Sequence, residues 1–430
     1  MNTNKIIPYG RQHIIQQDID AVVEVLKSDF LTQGPKVKEF EEKFAEYIGS
    51  KYAVAVSNGT AALHLSTLAL GVQPGEKVIT TPITFAASAN CVRYAGGEVI
   101  FADINPETYL LDINKVEDIL KKDRDVVGII PVDFAGRPVN LEEYKTLADK
   151  YGCWILEDAC HAPGGYFIDS HEQKQLCGNG NFADLAIFSF HPVKHIATGE
   201  GGMITTNNKE LYNKLQILRT HGITKDPTSF KNSTDLAYGN SSMTNNDVPR
   251  SDTNDSMTKN DTRSANDIIT KNDGQRPNDY PGWYYEMQHL GFNYRLSDIQ
   301  AALGVSQLKR ADEGLKRRRE IAEKYNENFR DKPYILGQSG VVEGHAYHLY
   351  VIEVKNRRGL YEHLRKNNIF AQIHYVPVHI MPYYKQFGWK QGDLPYAEAY
   401  YQKCLSLPMF PTLTDDEQNF VINTIEEFYA

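Results

Sequence analysis

Between residues 53 and 190, short β-branched runs alternate with segments whose apolar residues recur at helical spacing, and no other feature of the chain restricts its fold so tightly. Residues 53–56, 78–81, 98–101, 126–132, 154–156 and 186–190 read as strands, while 61–70 and 86–95 read as helices between them. Several of the strands are apolar throughout, as strands are when both sheet faces are covered. The pattern predicts an α/β domain with a mostly parallel sheet. Ligands of such sheets bind beyond the carboxyl ends of the strands. Asn58, Phe85, Asp158 and Lys194 each follow a different predicted strand, so they are expected to converge there.

Helical periodicity also marks 39–48 and 17–26, where Ile19, Val22, Val23, Val25 and Leu26 recur. From 226 to about 280 the chain changes character, with Asn, Asp, Ser and Thr in a degenerate local repeat. So little apolar surface does not offset the entropy of ordering, and a flexible insertion is expected. Order resumes at Trp283, and 297–308 reads as a helix with Ser297 as its N-cap. Residues 347–354, 360–366 and 370–374 then read as strand, helix and strand, before a last helix over 415–428. The expected organisation is a large domain over 1–225, a polar insertion over 226–282, a return segment and connecting helix over 283–310, and a smaller C-terminal α/β domain over 311–430. A chain of 430 residues exceeds one typical core, in keeping with that division.

A formal charge of -9 and the lack of a Lys/Arg stripe argue against a nucleic-acid partner. The five cysteines are scattered with no Cys-x-x-Cys pair, which reads as free thiols in a reducing compartment. No apolar run is long enough to span a bilayer, and the first residues have no charged-then-apolar pattern. A cytoplasmic protein with no membrane partner is expected.

The residues after the strands make a coherent chemical set. Lys194 lies in the Gly-rich run His191-Pro-Val-Lys-His-Ile-Ala-Thr-Gly-Glu-Gly-Gly202, delivered by the apolar stretch 185–190. A lysine held still and partly desolvated there can lose its proton near neutral pH and attack an aldehyde. Most lysines beside glycines are merely solvated, so its neighbours carry the weight. Asp158 ends an apolar strand, where a carboxylate can keep a pyridinium nitrogen protonated, bind a metal or sugar, or cap a helix. His161 can orient a ring hydroxyl or that aspartate, and packing or capping explains such a histidine equally. Phe85 suits stacking on a flat ring as well as a place in the core. Gly59, Thr60 and Ala61 open a helix and offer N–H groups and a hydroxyl to a phosphate, although an ordinary capped turn looks the same. The turn is neither G-x-G-x-x-G nor a Walker A loop, which disfavours a dinucleotide or a triphosphate.

Six segments together resemble the DegT/StrS family of nucleotide-sugar aminotransferases: Asn58-Gly-Thr-Ala-Ala-Leu-His64, Thr81-Pro-Ile-Thr-Phe85, Glu157-Asp-Ala-Cys-His-Ala162, Phe188-Ser-Phe-His-Pro-Val-Lys194, Gly199-Glu-Gly-Gly202 and Gly291-Phe-Asn-Tyr-Arg-Leu-Ser297. The resemblance runs from about Tyr9 to the C-terminus, interrupted by the insertion. It implies a fold-type-I enzyme that uses pyridoxal 5′-phosphate, takes a UDP-sugar and L-glutamate, and works as a homodimer with shared active sites. On that pattern Lys194 is catalytic and carries the Schiff base, Asp158 pairs with the ring nitrogen, Phe85 stacks on the ring, and His161 lies by its face or 3-hydroxyl. Thr60, Ala61 and Ser189 would hold the phosphate, with Asn293 reaching in from the other subunit.

Phe30-Leu-Thr-Gln-Gly34, Leu218-Arg-Thr-His-Gly222, His374-Tyr-Val-Pro-Val-His379 and Leu405-Ser-Leu-Pro-Met-Phe-Pro411 look most like the branch that aminates C4 of a UDP-linked 4-keto-6-deoxy sugar in pseudaminic acid synthesis. In that branch Tyr9 and the segment Asp29, Phe30, Leu31 and Thr32 would border the sugar nucleotide, with His348 and Tyr350 reaching it from the small lobe. Branches serving bacillosamine, perosamine or aminoarabinose are the alternative. A related sugar 3-dehydratase carries His where Lys194 stands, which disfavours it. The intact set of Lys194, Asp158 and Ser189 likewise disfavours a non-catalytic regulatory protein on the same fold.

Overall fold

The structure, a computed structural model, describes residues 6–232, 237 and 280–430. The six β-branched runs become β1 (Tyr52–Val56), β2 (Lys77–Thr80), β3 (Glu98–Phe101), β4 (Val126–Ile130), β5 (Trp154–Asp158) and β6 (Leu185–Ser189), joined in one seven-stranded sheet by a strand that the sequence pattern did not mark, β7 (Gly202–Thr206). Their order across the sheet is β1-β7-β6-β5-β4-β2-β3. Only β7 runs antiparallel to its neighbours; the other pairings are parallel. The mostly parallel α/β class expected from the sequence is what the chain adopts.

Helices α1 (Gln16–Leu26), α2 (Pro35–Ile48), α3 (Gly59–Leu70) and α4 (Ala87–Tyr94) precede or follow these strands. Helix α3 is apolar on nearly every side because it is buried on nearly every side. A second sheet joins β8 (Ile335–Gln338), β9 (Tyr350–Val354) and β10 (Cys404–Leu407) in antiparallel order. Strand β9 divides two cores by its two-residue period. Val351 packs with the cluster that reaches the main sheet, whereas Tyr350, Ile352 and Val354 pack with Ile321, Tyr325 and Ile425. The N-terminal residues Ile7–Pro8 pair in parallel with Ile369–Phe370 as a separate two-stranded sheet, tying the first described residues to the C-terminal part of the chain.

Several expectations need correction. The strand expected over 347–354 begins only at Tyr350, because Tyr347 sits at φ 48 and turns the chain. The strand expected over 370–374 shrinks to Ile369–Phe370 plus a single bridge from Gln372 to Ser406. Most of the polar insertion lies outside the described residues. Its entry and exit are described, where Tyr280 and Tyr284 pack edge-on against Phe230 and the Lys231 and Asn232 N–H groups donate to Glu286. Among the described residues no helix is long and apolar enough to cross a membrane.

The periodic apolar face of α1 is not a core face in the single chain: Ile19, Val23 and Leu26 are 47%, 38% and 55% exposed. The helix is anchored by a buried polar contact instead. Asp18 accepts from Ser306 Oγ (2.6 Å), Gln307 Nε2 (2.7 Å), the Arg310 guanidinium (2.6 Å) and the Ile15 N–H (3.0 Å). Burial pushes its carboxyl up, but the hydrogen bonds from Ser306, Ile15 and Arg310 outweigh this and hold it below the ordinary range. A depressed carboxylate stabilises the fold above its unfolded pKa of about 4, and the benefit is lost as pH falls through the lower folded value. Asp18→Ala is therefore expected to cost about 3 kcal/mol in urea unfolding at pH 7, with the deficit shrinking below pH 4 as the wild type loses the same interaction.

Candidate active site

The segments that follow β1, β2, β5 and β6 open onto one cavity of about 820 Å³. Asp158 closes β5, and its buried carboxylate accepts from Ser88 Oγ at 2.7 Å and from the Cys160 N–H at 3.2 Å. Ser88 lies in the first turn of α4, and its hydroxyl is 2.8 Å from Thr84 Oγ1. A carboxylate has about four acceptor sites, so two such bonds leave room for a further donor from the cavity.

Lys194 follows β6 and places Nζ 3.4 Å from His348 Nε2. The side chain is half-buried, with protein packed around its amine. Burial pushes its pKa below that of an ordinary lysine, and the charge of Arg318 adds to this, while Asp158 and Cys160 oppose it. His161 completes the group. The Ala135 N–H donates to its Nδ1 at 3.2 Å, which assigns the ring proton to Nε2, 3.4 Å from the Tyr375 hydroxyl. The His161 and His348 rings lie 4.3 Å apart. Burial first, and the Lys194 charge second, push both imidazoles well below their ordinary range, so both are neutral near pH 7.

At the other end of the cavity, Asn58 caps α3 by accepting the Ala61 N–H at 2.8 Å. The Gly59 and Thr60 amides, first in the helix, have no intrahelical acceptor. A side chain at Gly59 would put its Cβ 3.0 Å from Ser189 Cβ, so the glycine keeps the Ser189 hydroxyl close against the helix end. Two free amides, a helix dipole and a hydroxyl make an anion cradle.

Of the residues singled out in the sequence, Tyr9, Thr60, Ala61, Phe85, Asp158, Ser189, Lys194 and His348 line the cavity, and His161 packs directly against His348. Phe85 is 63% exposed, with its ring free to cover a flat ligand. Tyr350 does not reach the cavity. It is fully buried in the second core, with its hydroxyl 2.7 Å from Asn326 Oδ1, because the alternation of β9 directs it away. Asp29, Phe30, Leu31 and Thr32 also fall outside the cavity of the single chain, near the start of helix Asp298–Leu308, where the Asp298 N–H donates to Leu31 O. Asn293 lies exposed beside Thr220. Sequence reasoning missed three contributors. Ser88 lies three residues after Phe85, on the same face of the coming helix, a spacing that could have exposed it. Tyr375 and the fully buried Arg318, which donates to the His348 and Tyr347 carbonyls at 3.3 Å, leave no such trace.

A family model described as the DegT/DnrJ/EryC1/StrS aminotransferase family matches residues 12–247 and 253–426. The chain belongs to that family. It is 35% identical to the UDP-4-amino-4,6-dideoxy-N-acetyl-beta-L-altrosamine transaminase of Campylobacter jejuni, over 98% of this chain and 96% of that protein. It is also 35% identical to the spore coat polysaccharide biosynthesis protein SpsC of Bacillus subtilis, covering 99% and 97%. Helicobacter pylori PseC, an aminotransferase involved in the biosynthesis of pseudoaminic acid, superposes with a TM-score of 0.79 at 28% identity, covering 99% of each chain. The chain is thus a sugar aminotransferase that depends on pyridoxal phosphate.

The cavity suits that cofactor. Its two ends carry the opposite requirements of the molecule, an anion cradle for the phosphate and an acceptor-only carboxylate for the pyridinium N–H. The amine of Lys194 and the open face of Phe85 stand among the same lining residues. Asp158→Ala is expected to remove the charge-assisted hydrogen bond that this carboxylate would offer the cofactor, worth about 2 kcal/mol. Titration of the cofactor-free protein with pyridoxal phosphate is expected to show affinity lowered by about 30-fold.

Proposed function

We propose that the enzyme transfers the amino group of L-glutamate to C4 of a UDP-linked 4-keto-6-deoxy-N-acetylhexosamine, giving UDP-4-amino-4,6-dideoxy-N-acetyl-beta-L-altrosamine and 2-oxoglutarate. The observation that carries the transfer chemistry is the partly desolvated Lys194 amine beside the neutral His348. Bound pyridoxal phosphate supplies the electron sink that makes the Cα–H of the donor acidic. Lys194 Nζ takes that proton, and in the second half of the reaction delivers one to C4 of the sugar. Neutral neighbours suit this alternation, since they add no charge to bias Nζ toward either form. His161, held as its Nε2–H form by Ala135, offers a donor to the ring hydroxyl side, and the Tyr9 ring borders the sugar.

The sugar assignment rests on the transaminase and PseC likenesses together with the four sequence segments named above. SpsC is equally similar, which favours a second reading in which the acceptor is another nucleotide-linked 4-keto sugar. A homodimer fits both. Ile14, Ile19, Val23, Leu26 and Leu31 expose apolar surface, as do Trp283, Tyr285, Met287 and Leu290, and Asn293 lies exposed beyond its own cavity. In such a dimer Asn293 and Asp29 to Thr32 border the partner's cavity. All five cysteines are free thiols, as suits an enzyme acting in the cytoplasm.

The first test follows the visible absorption of the loaded enzyme. It should bleach with L-glutamate and recover with the UDP-linked 4-keto sugar. Recovery only with a differently configured or differently activated sugar would favour the second reading, and no response to glutamate would overturn both. Lys194→Ala should slow the glutamate step by about 10²- to 10⁴-fold. Because the Lys194 pKa is lowered, its neutral form persists to lower pH than that of a free lysine. The rate of the glutamate step should therefore fall as pH drops through that lowered value. Measured rate profiles should keep this limb in His348→Gln, since the imidazole is already uncharged there.

A further inference from the structure

Directly beneath Asp158 lies an acid pair with no part in the chemistry above. Asp133 and Glu157 are 0% and 1% exposed, and their carboxylate oxygens lie within 4.8 Å of each other and of Cys177 Sγ. One oxygen of each acid has a backbone partner: the Val139 N–H donates to Asp133 Oδ1 at 2.8 Å, and the Gly178 N–H donates to Glu157 Oε2 at 2.9 Å. The other oxygens, Asp133 Oδ2 and Glu157 Oε1, are buried without any partner. Two carboxyl groups this close, each with an oxygen buried and unpaired away from water, cannot both be charged. We propose that Asp133 and Glu157 share one proton between these two oxygens, and that this O–H···O link is the positioning element that fixes His161 and His348 against Lys194.

The hydrogen bonds around the pair define what it positions. Asp133 begins the turn Phe134–Gly136, whose N-terminal amide is tied to β5 by the bond from Asp133 N–H to Asp158 O (3.1 Å). The Ala135 N–H donates to His161 Nδ1, so the turn sets the tautomer of that ring. The Gly136 carbonyl accepts the Ala346 N–H at 2.7 Å, and the Ala135 carbonyl accepts the Leu349 N–H at 3.1 Å, clamping both sides of His348. The contact is close. Gly136 sits at φ +95, and a Cβ there would approach His161 O at 2.8 Å and His348 N at 2.9 Å. Ala135 is also left-handed, at φ 60, a conformation an alanine holds only when its surroundings impose it. The link from Asp133 to Glu157 is the side-chain tie between this turn and β5.

A proton is a better fit than a metal ion. Two carboxylates and a thiol make three donors, one oxygen of each acid is already engaged, and the group has no exposure through which a water could complete the shell. The titratable groups facing the pair are Asp158, Cys177 and Cys160, so no cation offsets a second negative charge. Burial, followed by mutual repulsion, raises the proton affinity of Glu157, and burial does the same for Asp133. A carboxyl whose folded pKa is raised contributes stability that is full below its unfolded pKa and lost as pH rises through the folded value.

The inference rests on Lys194 being the catalytic base, but its first readout does not depend on activity. Infrared spectra of the full-length holoenzyme near pH 7 should contain a protonated-carboxyl C=O stretch that disappears in Glu157→Gln. Absence of that band in the wild type, or one equivalent of bound metal per chain, would overturn the shared proton. Replacing the O–H by an amide N–H keeps the link but removes the titration. The melting temperature of Glu157→Gln should thus lose the decline that the wild type shows as pH rises above the ordinary carboxyl range. If that variant is poorly folded, Asp133→Asn gives the same readouts from the other side. Glu157→Leu should slow the glutamate step by about 100-fold with little change in KM, and Glu157→Gln should restore most of that loss. Equal losses in both variants would overturn the positioning role. A normal glutamate step combined with failure on the keto sugar would bear on the sugar assignment and leave the acid pair standing.

Discussion

Everything in the cavity depends on one unfavourable act, the removal of a lysine amine from water. A desolvated amine in a protein either finds an anion close enough to keep its charge or gives up its proton. Here Lys194 Nζ lies within 3.4 Å of an imidazole nitrogen that is itself uncharged, and the Asp158 carboxylate already accepts from Ser88 and Cys160. Arg318 supports this from behind. Fully buried, with its pKa lowered to about 9, it donates to backbone carbonyls and so holds His348 without bringing a carboxylate near the amine.

The topology of the main sheet turns this chemistry into a compact site. Parallel strands deliver Asn58, Phe85 and Asp158 to one edge, and β6 delivers the Lys194 loop to the same edge. The chain then has to return, which β7 does by running antiparallel between β6 and β1. Gly202 makes that return possible: a Cβ there would meet Asn58 O at 2.5 Å. The loop carrying the amine and the helix end cradling an anion are thus held together by adjacent hydrogen-bonded strands.

What the sequence revealed and what it concealed separate along physical lines. Six strands of the main sheet were legible because their burial on both faces leaves continuous apolar runs, whereas β7 was not read as a strand; the residues after the parallel strands were legible because such a sheet gathers its strand ends. Lys194, Asp158 and the Gly59–Ala61 turn were each ambiguous alone, and became legible together once the family resemblance joined them. Tyr350 was misjudged because the orientation of β9 depends on Tyr347, whose left-handed backbone carries no residue-type signature. Helical spacing marked α1 but not what its apolar residues face: in the single chain a buried aspartate anchors the helix while Ile19, Val23 and Leu26 lie open. Contacts across long sequence separations, such as Ser306 with Asp18 or Tyr375 with His161, cannot be read from spacing, since nothing local dictates them.

The short parallel pairing of Ile7–Pro8 with Ile369–Phe370 has a consequence for the order in which the molecule is made. Tyr9, at the beginning of the chain, meets His374 across a ring separation of 5.1 Å, and the same wall carries Gln372 and Tyr375. On the ribosome the main sheet has all its strands once residue 206 has emerged, but the wall that closes the cavity is still unsynthesised. The first residues must wait, unpaired, for a partner more than 350 positions later. Such distant contacts are the slowest to form in any chain. The nascent enzyme therefore passes through a stage in which the anion cradle and the amine are in place while one side stands open to water, and catalytic competence arrives with the last quarter of translation.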